Sequence, residues 1–174
     1  MLDLKNLIRS IPDFPKPGIV FRDITTLLQD PNALRQSVDA ITSRFASKSI
    51  DVVVGAEARG LIFGPVVAYN LQAGFVPVRK PAKLPFDTIR ATYILEYGTD
   101  TVEMHSDAIK PGQRVLMIDD LLATGGTMVA CCDLVEQLGG EIVGIGFVIE
   151  LSFLKGRDKL DKYDIFSLVQ YDSE

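Results

Sequence analysis

Residues 114–127, RVLMIDDLLATGGT, constrain the fold of this chain more than any other stretch. Residues 115–118 are an unbroken apolar run, the pattern of a parallel strand buried on both faces. Asp119 and Asp120 fall where that strand is expected to end. Met128, Cys131, Val135 and Leu138 then recur at helical spacing, and Gly139-Gly140 stops the pattern. The loop between them, Ala123, Thr124, Gly125, Gly126 and Thr127, is small, hydroxylated and rich in glycine. Its backbone N–H groups can approach an anion unobstructed, and the N-terminus of the following helix adds partial positive charge.

Two carboxylates beside a phosphate loop would repel a bare phosphate. The pairing makes sense for a ligand with phosphate at one end and hydroxyls at the other, because carboxylates accept hydrogen bonds from a ribose diol. A ribose phosphate therefore fits better than a nucleoside triphosphate. A P-loop would need Gly-Lys followed by Ser or Thr, whereas Gly126 is followed directly by Thr127. The spaced glycines of a dinucleotide site are absent as well. An ordinary tight strand-to-helix turn would account for the glycines but not for the acid pair.

The chain has 174 residues, enough for one domain with a sizeable core, and 47% of them are hydrophobic. Its formal net charge is −5 with no basic block, which argues against a dedicated nucleic-acid binder. An acidic protein that binds a polyanion must concentrate positive charge locally, and residues 79–89, RKPAKLPFDTI, do so. They contain proline, lack periodicity and read as a mobile loop, with Arg79, Lys80 and Lys83 as its cations. Cys131 and Cys132 are adjacent and form no Cys-x-x-Cys pair, so they read as reduced thiols of a cytoplasmic protein. His105 is the single histidine, which excludes a histidine-rich metal site; it reads as a surface or hairpin residue. No signal peptide is indicated, and no apolar stretch approaches membrane-span length.

Leu4, Leu7, Ile8 and Ile11 suggest a short amphipathic helix, followed by a proline-rich extended segment. A helix is expected over 31–47, with Leu34, Val38, Ile41 and Phe45 on one face. Strand 51–55, helix 61–71 ended by Gly74, and strand 75–78 make a βαβ unit. Residues 90–97 and 100–105 are strand-like with a hairpin turn over 97–100. Strand 142–149, a short helix near 153–160 and strand 165–169 follow the central motif. Alternating strands and helices imply an α/β fold with a mostly parallel sheet, whose ligands belong at the carboxyl ends of the strands. The loop GAEARG at 55–60 falls at such an end; its small residues expose N–H groups, and Arg59 offers a fork of donors suited to pyrophosphate. Taken alone, it could equally be a helix N-terminus with a solvated arginine.

Residues 114–127 resemble the phosphoribosyl-pyrophosphate motif of the type I phosphoribosyltransferases. The resemblance extends through the chain to the adenine branch of that family. It runs over FPKPGIVFRDI at 14–24, Arg59-Gly60, Arg79-Lys80, Lys83-Leu84-Pro85, LEYG at 95–98, Glu150-Leu151 and LKGR at 154–157. Two departures fall in the loop: Ala82 stands where a glycine is common, and Phe86-Asp87 replaces a pair that is often charged.

The resemblance implies one domain over 1–174, with a small N-terminal hood over 1–30 and a lid loop over 79–89. It implies a purine-salvage reaction, transfer of 5-phosphoribose to N9 of adenine, giving AMP and pyrophosphate. Asp119 and Asp120 would hold the ribose hydroxyls and Ala123, Thr124, Gly125, Gly126 and Thr127 the 5-phosphate. Glu57, Ala58 and Arg59 would bind pyrophosphate through a loop that in this family often contains a non-proline cis peptide, here Glu57–Ala58. Lys80 and Lys83 would assist from the lid. Glu96, which from its pattern alone is a solvated strand-end residue, would be the general acid/base, with Arg59 beside it in catalysis. Backbone groups around Val20 and Arg22 would read the adenine edge, and Val20, Phe21 and Leu151 would sandwich the ring. Magnesium would be held mainly by substrate and water, with no direct protein ligand, and a homodimer is expected. Nucleic acid and membrane are not expected partners. Two rivals share the phosphate motifs: a transferase for 6-oxopurines, and a non-enzymatic sensor of phosphoribosyl pyrophosphate. The latter would need an output surface; a DNA-binding version would normally add a helix-turn-helix domain and a basic face, whereas here about thirty residues precede the first long helix and the charge is negative.

Overall fold

The computed structural model describes residues 2–94 and 98–174. Its core is a five-stranded parallel sheet of β3 (Val52–Ala56), β4 (Gly74–Val78), β7 (Arg114–Leu122), β8 (Glu141–Leu151) and β9 (Ile165–Tyr171), in the order β4-β3-β7-β8-β9. Because side chains alternate along a strand, the sheet has two apolar faces. Val52, Val54, Val115 and Met117 pack with Met128, Cys131 and Val135 of α4 (Gly126–Gln137). Val53, Leu116 and Ile118 pack with Ile41 and Phe45 of α2 (Pro31–Phe45) and with Phe63 and Val67 of α3 (Gly60–Leu71).

From β3 the chain crosses through α3 to β4 on one side, while β7 leads through α4 to β8 on the other. The order therefore reverses between β3 and β7, and their carboxyl ends bound the natural crevice of such a sheet. The last β3–β7 pair in register is Gly55↔Ile118. Beyond it β7 keeps only β8 as a partner, through Asp119↔Phe147, Leu121↔Ile149 and Leu122↔Glu150. This support carries the strand past the acid pair, so Asp119 and Asp120 lie within β7 and not at its end as expected.

Two antiparallel hairpins flank the sheet. The N-terminal one pairs β1 (Arg9–Pro12) with β2 (Val20–Asp23), which leads into the short helix α1 (Thr25–Gln29). Here the expected amphipathic helix is replaced by a 3-10 turn over Leu4–Leu7 followed by β1. An isolated helix of this length is marginal, and Ile11 gains a strand partner in Phe21 instead. The second hairpin pairs β5 (Thr88–Ile94) with β6 (Thr99–His105) in unbroken register. Its expected turn lies partly outside the described residues, because Leu95, Glu96 and Tyr97 are not described.

Asp30 caps α2 by accepting from the N–H groups of Asn32 and Ala33 at 2.9 Å, with Pro31 at the first helical position, as the sequence leads one to expect. The stop of α3 differs from expectation. Gln72 takes the left-handed position (φ 56°), and Gly74 already begins β4. The short helix expected near 153–160 is two 3-10 turns, Ser152–Leu154 and Gly156–Leu160, separated by Lys155 at φ 53°.

Candidate active site

A cleft of about 560 Å³ opens at the carboxyl ends of β3 and β7. It gathers Glu57, Ala58, Arg59, Lys80, Asp119, Asp120, Ala123, Thr124, Gly125, Gly126 and Thr127, every one of them singled out in the sequence. Tyr93, Leu121, Leu122 and Met128 also line it.

The floor is the acid pair. Both carboxylates are buried, and the Asp119 Oδ1 accepts the Asp120 N–H at 2.8 Å. Burial first, and the adjacent Asp120 charge second, push the Asp119 carboxyl well above its ordinary range. Burial also raises Asp120, while the Arg59 guanidinium works in the opposite direction. The Asp120 Oδ2 lies 2.7 Å from Arg59 Nε but makes no hydrogen bond among the described residues. A buried acceptor left in this state suits ligand hydroxyls or a cation carried by the ligand. Among the described residues no group of three or more acids, histidines and cysteines could cage a metal, so a cation here would keep most of its oxygen ligands from elsewhere.

One wall is the start of α4. Its N-cap is Gly125 (φ 80°), with no side-chain cap. The first N–H groups of the helix therefore face the cleft without a side-chain acceptor, and the helix dipole reinforces them. A turn behind the loop fixes its backbone: a Cβ on Gly125 would lie 2.7 Å from the Gly156 carbonyl oxygen. Glu150 and Arg157 brace that turn, with Arg157 Nε donating to Glu150 Oε1 at 2.9 Å and Ser167 Oγ donating to Oε2 at 2.6 Å.

The opposite wall is the loop after β3, where the Glu57–Ala58 peptide is cis, as expected. Gly60 opens α3 against β7; a Cβ there would lie 2.7 Å from the Ile118 carbonyl oxygen. Glu57 ties this loop to the next one, its Oε2 accepting from Arg79 Nε at 2.9 Å and the Lys80 N–H at 2.7 Å. Burial acts to raise the Glu57 pKa, but these donors outweigh it and hold the carboxyl below its usual range. Lys83 is exposed on the same loop, and its charge contributes to that lowering.

Lys80 reaches the cleft rim, where its ammonium donates to Tyr93 Oη at 3.1 Å and to the Asp100 carboxylate. Neither Tyr93 nor Asp100 is evident as a site residue from the sequence. Asp100, expected in the hairpin turn, instead belongs to β6, and the Tyr93↔Asp100 register brings the two face to face.

Other expected residues stand apart from this cleft. Val20, Phe21, Arg22, Leu151 and Lys83 are not in its lining. Phe21 adjoins it, since the Arg59 guanidinium lies 5.3 Å from the Phe21 ring centre. Leu151 packs with the α2–α3 core. The Arg22 side chain turns away, stacked 4.0 Å over Tyr171 and donating to Ser10 Oγ at 2.6 Å. The Val20 N–H is engaged by Glu174 Oε2 at 2.9 Å. Glu96 lies outside the described residues. Cys131 and Cys132 are buried, and burial raises both thiols, that of Cys132 to about 12, which disfavours the thiolate form. His105 lies on the hairpin, edge-on to Phe86.

An uncapped helix start and a buried carboxylate pair meet at the switch point of a parallel sheet, an arrangement that defines a class. A family model for the phosphoribosyl transferase domain matches residues 23–173, and the chain belongs to the phosphoribosyltransferases. The adenine phosphoribosyltransferase of Koribacter versatilis (strain Ellin345) is 63% identical over 169 residues, covering 97% of this chain and 93% of its own. The crystal structure of the enzyme from Thermoanaerobacter pseudethanolicus superposes with a TM-score of 0.94 at 52% identity, covering 97% of this chain and 98% of that one. The Saccharomyces cerevisiae enzyme, crystallised with adenine and an imino-altritol bisphosphate, gives 0.91 at 42% identity, covering 95% and 96%. Within its class the chain falls among the adenine phosphoribosyltransferases.

Proposed function

We propose that this chain transfers 5-phosphoribose from phosphoribosyl pyrophosphate to N9 of adenine, giving AMP and pyrophosphate. The observation that carries this reading is the meeting of an uncapped helix start and a buried carboxylate pair in one cleft. Few ligands other than a ribose phosphate satisfy both at once.

In this reading the N–H groups of residues 123–127 hold the 5-phosphate, and Asp119 and Asp120 accept from the ribose hydroxyls. Arg59 and Lys80, with Lys83 from the loop, face the pyrophosphate. Residues 79–89 form a lid over the cleft and residues 1–30 a small hood, all within one domain. The transition state separates a cationic sugar from an anionic leaving group, so fixed charges in a site closed to water act where charge develops. Magnesium, when bound, neutralises the leaving pyrophosphate. Glu96 gives or takes the purine proton, and Arg59 stabilises the departing anion.

Base choice rests on the N-terminal hairpin and the end of β8. A backbone carbonyl near Val20 or Arg22 accepts from the 6-amino group, and Val20, Phe21 and Leu151 flank the ring. A 6-oxo purine would set oxygen against oxygen there and leave buried polar groups unpaired. The position of Phe21 beside Arg59 supports this placement.

Ile62, Val66 and Tyr69 form an exposed stripe along one face of α3, which supports a homodimer joined through that face. No described helix is long and apolar enough to cross a membrane. The reduced, buried thiols agree with the cytoplasm as its compartment.

The test is AMP formation from adenine and phosphoribosyl pyrophosphate with magnesium, beside parallel reactions with hypoxanthine and guanine. Product from adenine alone supports the reading. Product only from a 6-oxo purine overturns the roles of Val20, Arg22 and Leu151, and binding without product from any base favours a sensor.

A further inference from the structure

Among the described residues, Arg59 and Lys80, which line the cleft, and Arg79 beside them are each paired with an acid. Arg59 meets Asp120 at 2.7 Å and Arg79 meets Glu57 at 2.9 Å, and both of those acids line the cleft. The third pair differs. Lys80 lines the cleft, but its partner Asp100 belongs to β6 and stands behind it. The pair is part of a closed triangle: Lys80 Nζ donates to Tyr93 Oη at 3.1 Å and to Asp100, and Tyr93 Oη donates to Asp100 Oδ2 at 3.0 Å. The backbone N–H of Thr101 fixes the other Asp100 oxygen at 2.8 Å. Burial works against the charged lysine, but the bonds from Asp100 and Tyr93 outweigh it and hold the ammonium above its ordinary pKa.

We propose that Asp100 is a resting counter-ion for Lys80 that pyrophosphate displaces, so that a carboxylate outside the cleft tunes how tightly the pyrophosphate end of the substrate is held. This rests on the assignment of Lys80 to pyrophosphate made above. The physical argument is a competition between two anions for one ammonium. Lysine is a compact charge on a flexible stem and can exchange partners by rotamer change alone. Asp100 and its backbone anchor stay in place, while the ammonium swings from Asp100 toward the ligand. Whatever free energy the Lys80–Asp100 pair contributes in the empty site is subtracted from pyrophosphate binding. Both side chains are about one-third exposed, so the subtraction is that of a partly screened pair and fades with salt. Asp100 is therefore a positioning residue and touches no reacting atom.

The experiment is calorimetric titration of the full chain with inorganic pyrophosphate and magnesium, at low and high ionic strength. Asp100→Asn keeps the shape and the bond to Tyr93 but removes the charge, and is expected to bind about two- to fivefold tighter at low salt. That gain should shrink at high salt, a response that a purely structural role would not produce. Asp100→Glu keeps the competitor and should match the unsubstituted chain, which also guards against a folding artefact. Lys80→Ala should weaken binding, and adding Asp100→Asn to it should change nothing further. Unchanged or weaker binding in Asp100→Asn overturns the proposal. The same gain on the Lys80→Ala background overturns it too, because the effect would then not pass through Lys80. Undiminished binding in Lys80→Ala alone would strike down the assignment of Lys80, and AMP formation, measured separately, would show whether the wider reading survives.

Discussion

Gly125 and Gly156 meet backbone to backbone, and neither tolerates a side chain: a Cβ on Gly156 would lie 2.2 Å from the Ala123 carbonyl oxygen and 2.9 Å from the Gly125 nitrogen. The loop over residues 123–127 is thus shaped from behind by a turn 31 residues further along the chain (156 − 125). Gly156→Ala should push residues 123–127 out of register with the ligand. The expected result is a rise of roughly tenfold in KM for phosphoribosyl pyrophosphate with a much smaller change for adenine. Steady-state kinetics with each substrate varied in turn checks it, and overpacking should lower stability by about 1–3 kcal/mol.

Asp119 offers a stability gain at the expense of activity. Its folded pKa is raised by burial and by Asp120, so the native state binds more protons than the unfolded chain. Stability from this group therefore falls as pH rises from the ordinary carboxylate value, 3.8, through the raised folded value. Asp119→Asn should stabilise the ligand-free chain by about 1–2 kcal/mol at neutral pH, with the advantage growing as pH rises through that window. On the proposed assignment of Asp119 to the ribose, AMP formation should drop by roughly ten- to hundredfold, the loss expected for one charged hydrogen bond. Denaturant melts across pH beside activity assays would expose any variant that gains nothing.

Glu150 behaves in the opposite sense. Burial tends to raise its pKa, but Arg157, Ser167 and Gln170 outweigh this and depress it. Its contribution is present above the ordinary value, 4.5, and is lost as pH falls through the depressed folded value. Glu150→Gln leaves Arg157 without its counter-charge and should cost about 1–3 kcal/mol near neutral pH, with a shallower loss in acid. Because Arg157 sits next to Gly156, the variant should also raise KM for phosphoribosyl pyrophosphate. An unchanged KM would separate the ion pair from the loop over residues 123–127.

The apolar stripe on α3 sets up a test of assembly. Tyr69 is 83% exposed and Val66 45% exposed in the single chain. A glutamate at Val66 would place charge in the middle of any interface formed there, with little effect on the monomer fold. Sedimentation at micromolar concentration is expected to show a dimer for the unsubstituted chain and a monomer for Val66→Glu. A dimer that survives this change must be joined elsewhere.

What could be read in advance was local. The acid pair and the glycine loop around residues 119–127 impose their strand, turn and helix start through their own chemistry, and the aspartate cap at Asp30 with Pro31 does the same for α2. What escaped depends on partners distant in sequence. Ile11 reads as part of a helix until Phe21 is known to lie beside it. Asp119 reads as a strand end until β8 is known to run past it. Asp100 has no signal of its own, since it acquires its role from a hairpin register and from a lysine 20 residues earlier. Ala82 is an instructive intermediate. Its departure from the family glycine is visible in sequence, and the structure places it at φ 63°, with its N–H held by Glu103 Oε2 at 3.2 Å. Ala82 therefore holds a left-handed conformation that a glycine adopts more easily.

The bare start of α4 bears on the order in which products depart. On the reading proposed here, the 5-phosphate completes the first turn of the helix when the substrate arrives. Pyrophosphate leaves without disturbing that turn, because it occupies the opposite wall. AMP carries the same phosphate as the substrate did, so its exit strips the helix of its cap, and the empty enzyme begins each cycle with the first N–H groups of α4 open to solvent. Hydrogen exchange at Gly126, Thr127 and Met128 would thus report the occupancy of the sugar-phosphate site during turnover, independently of which base is bound.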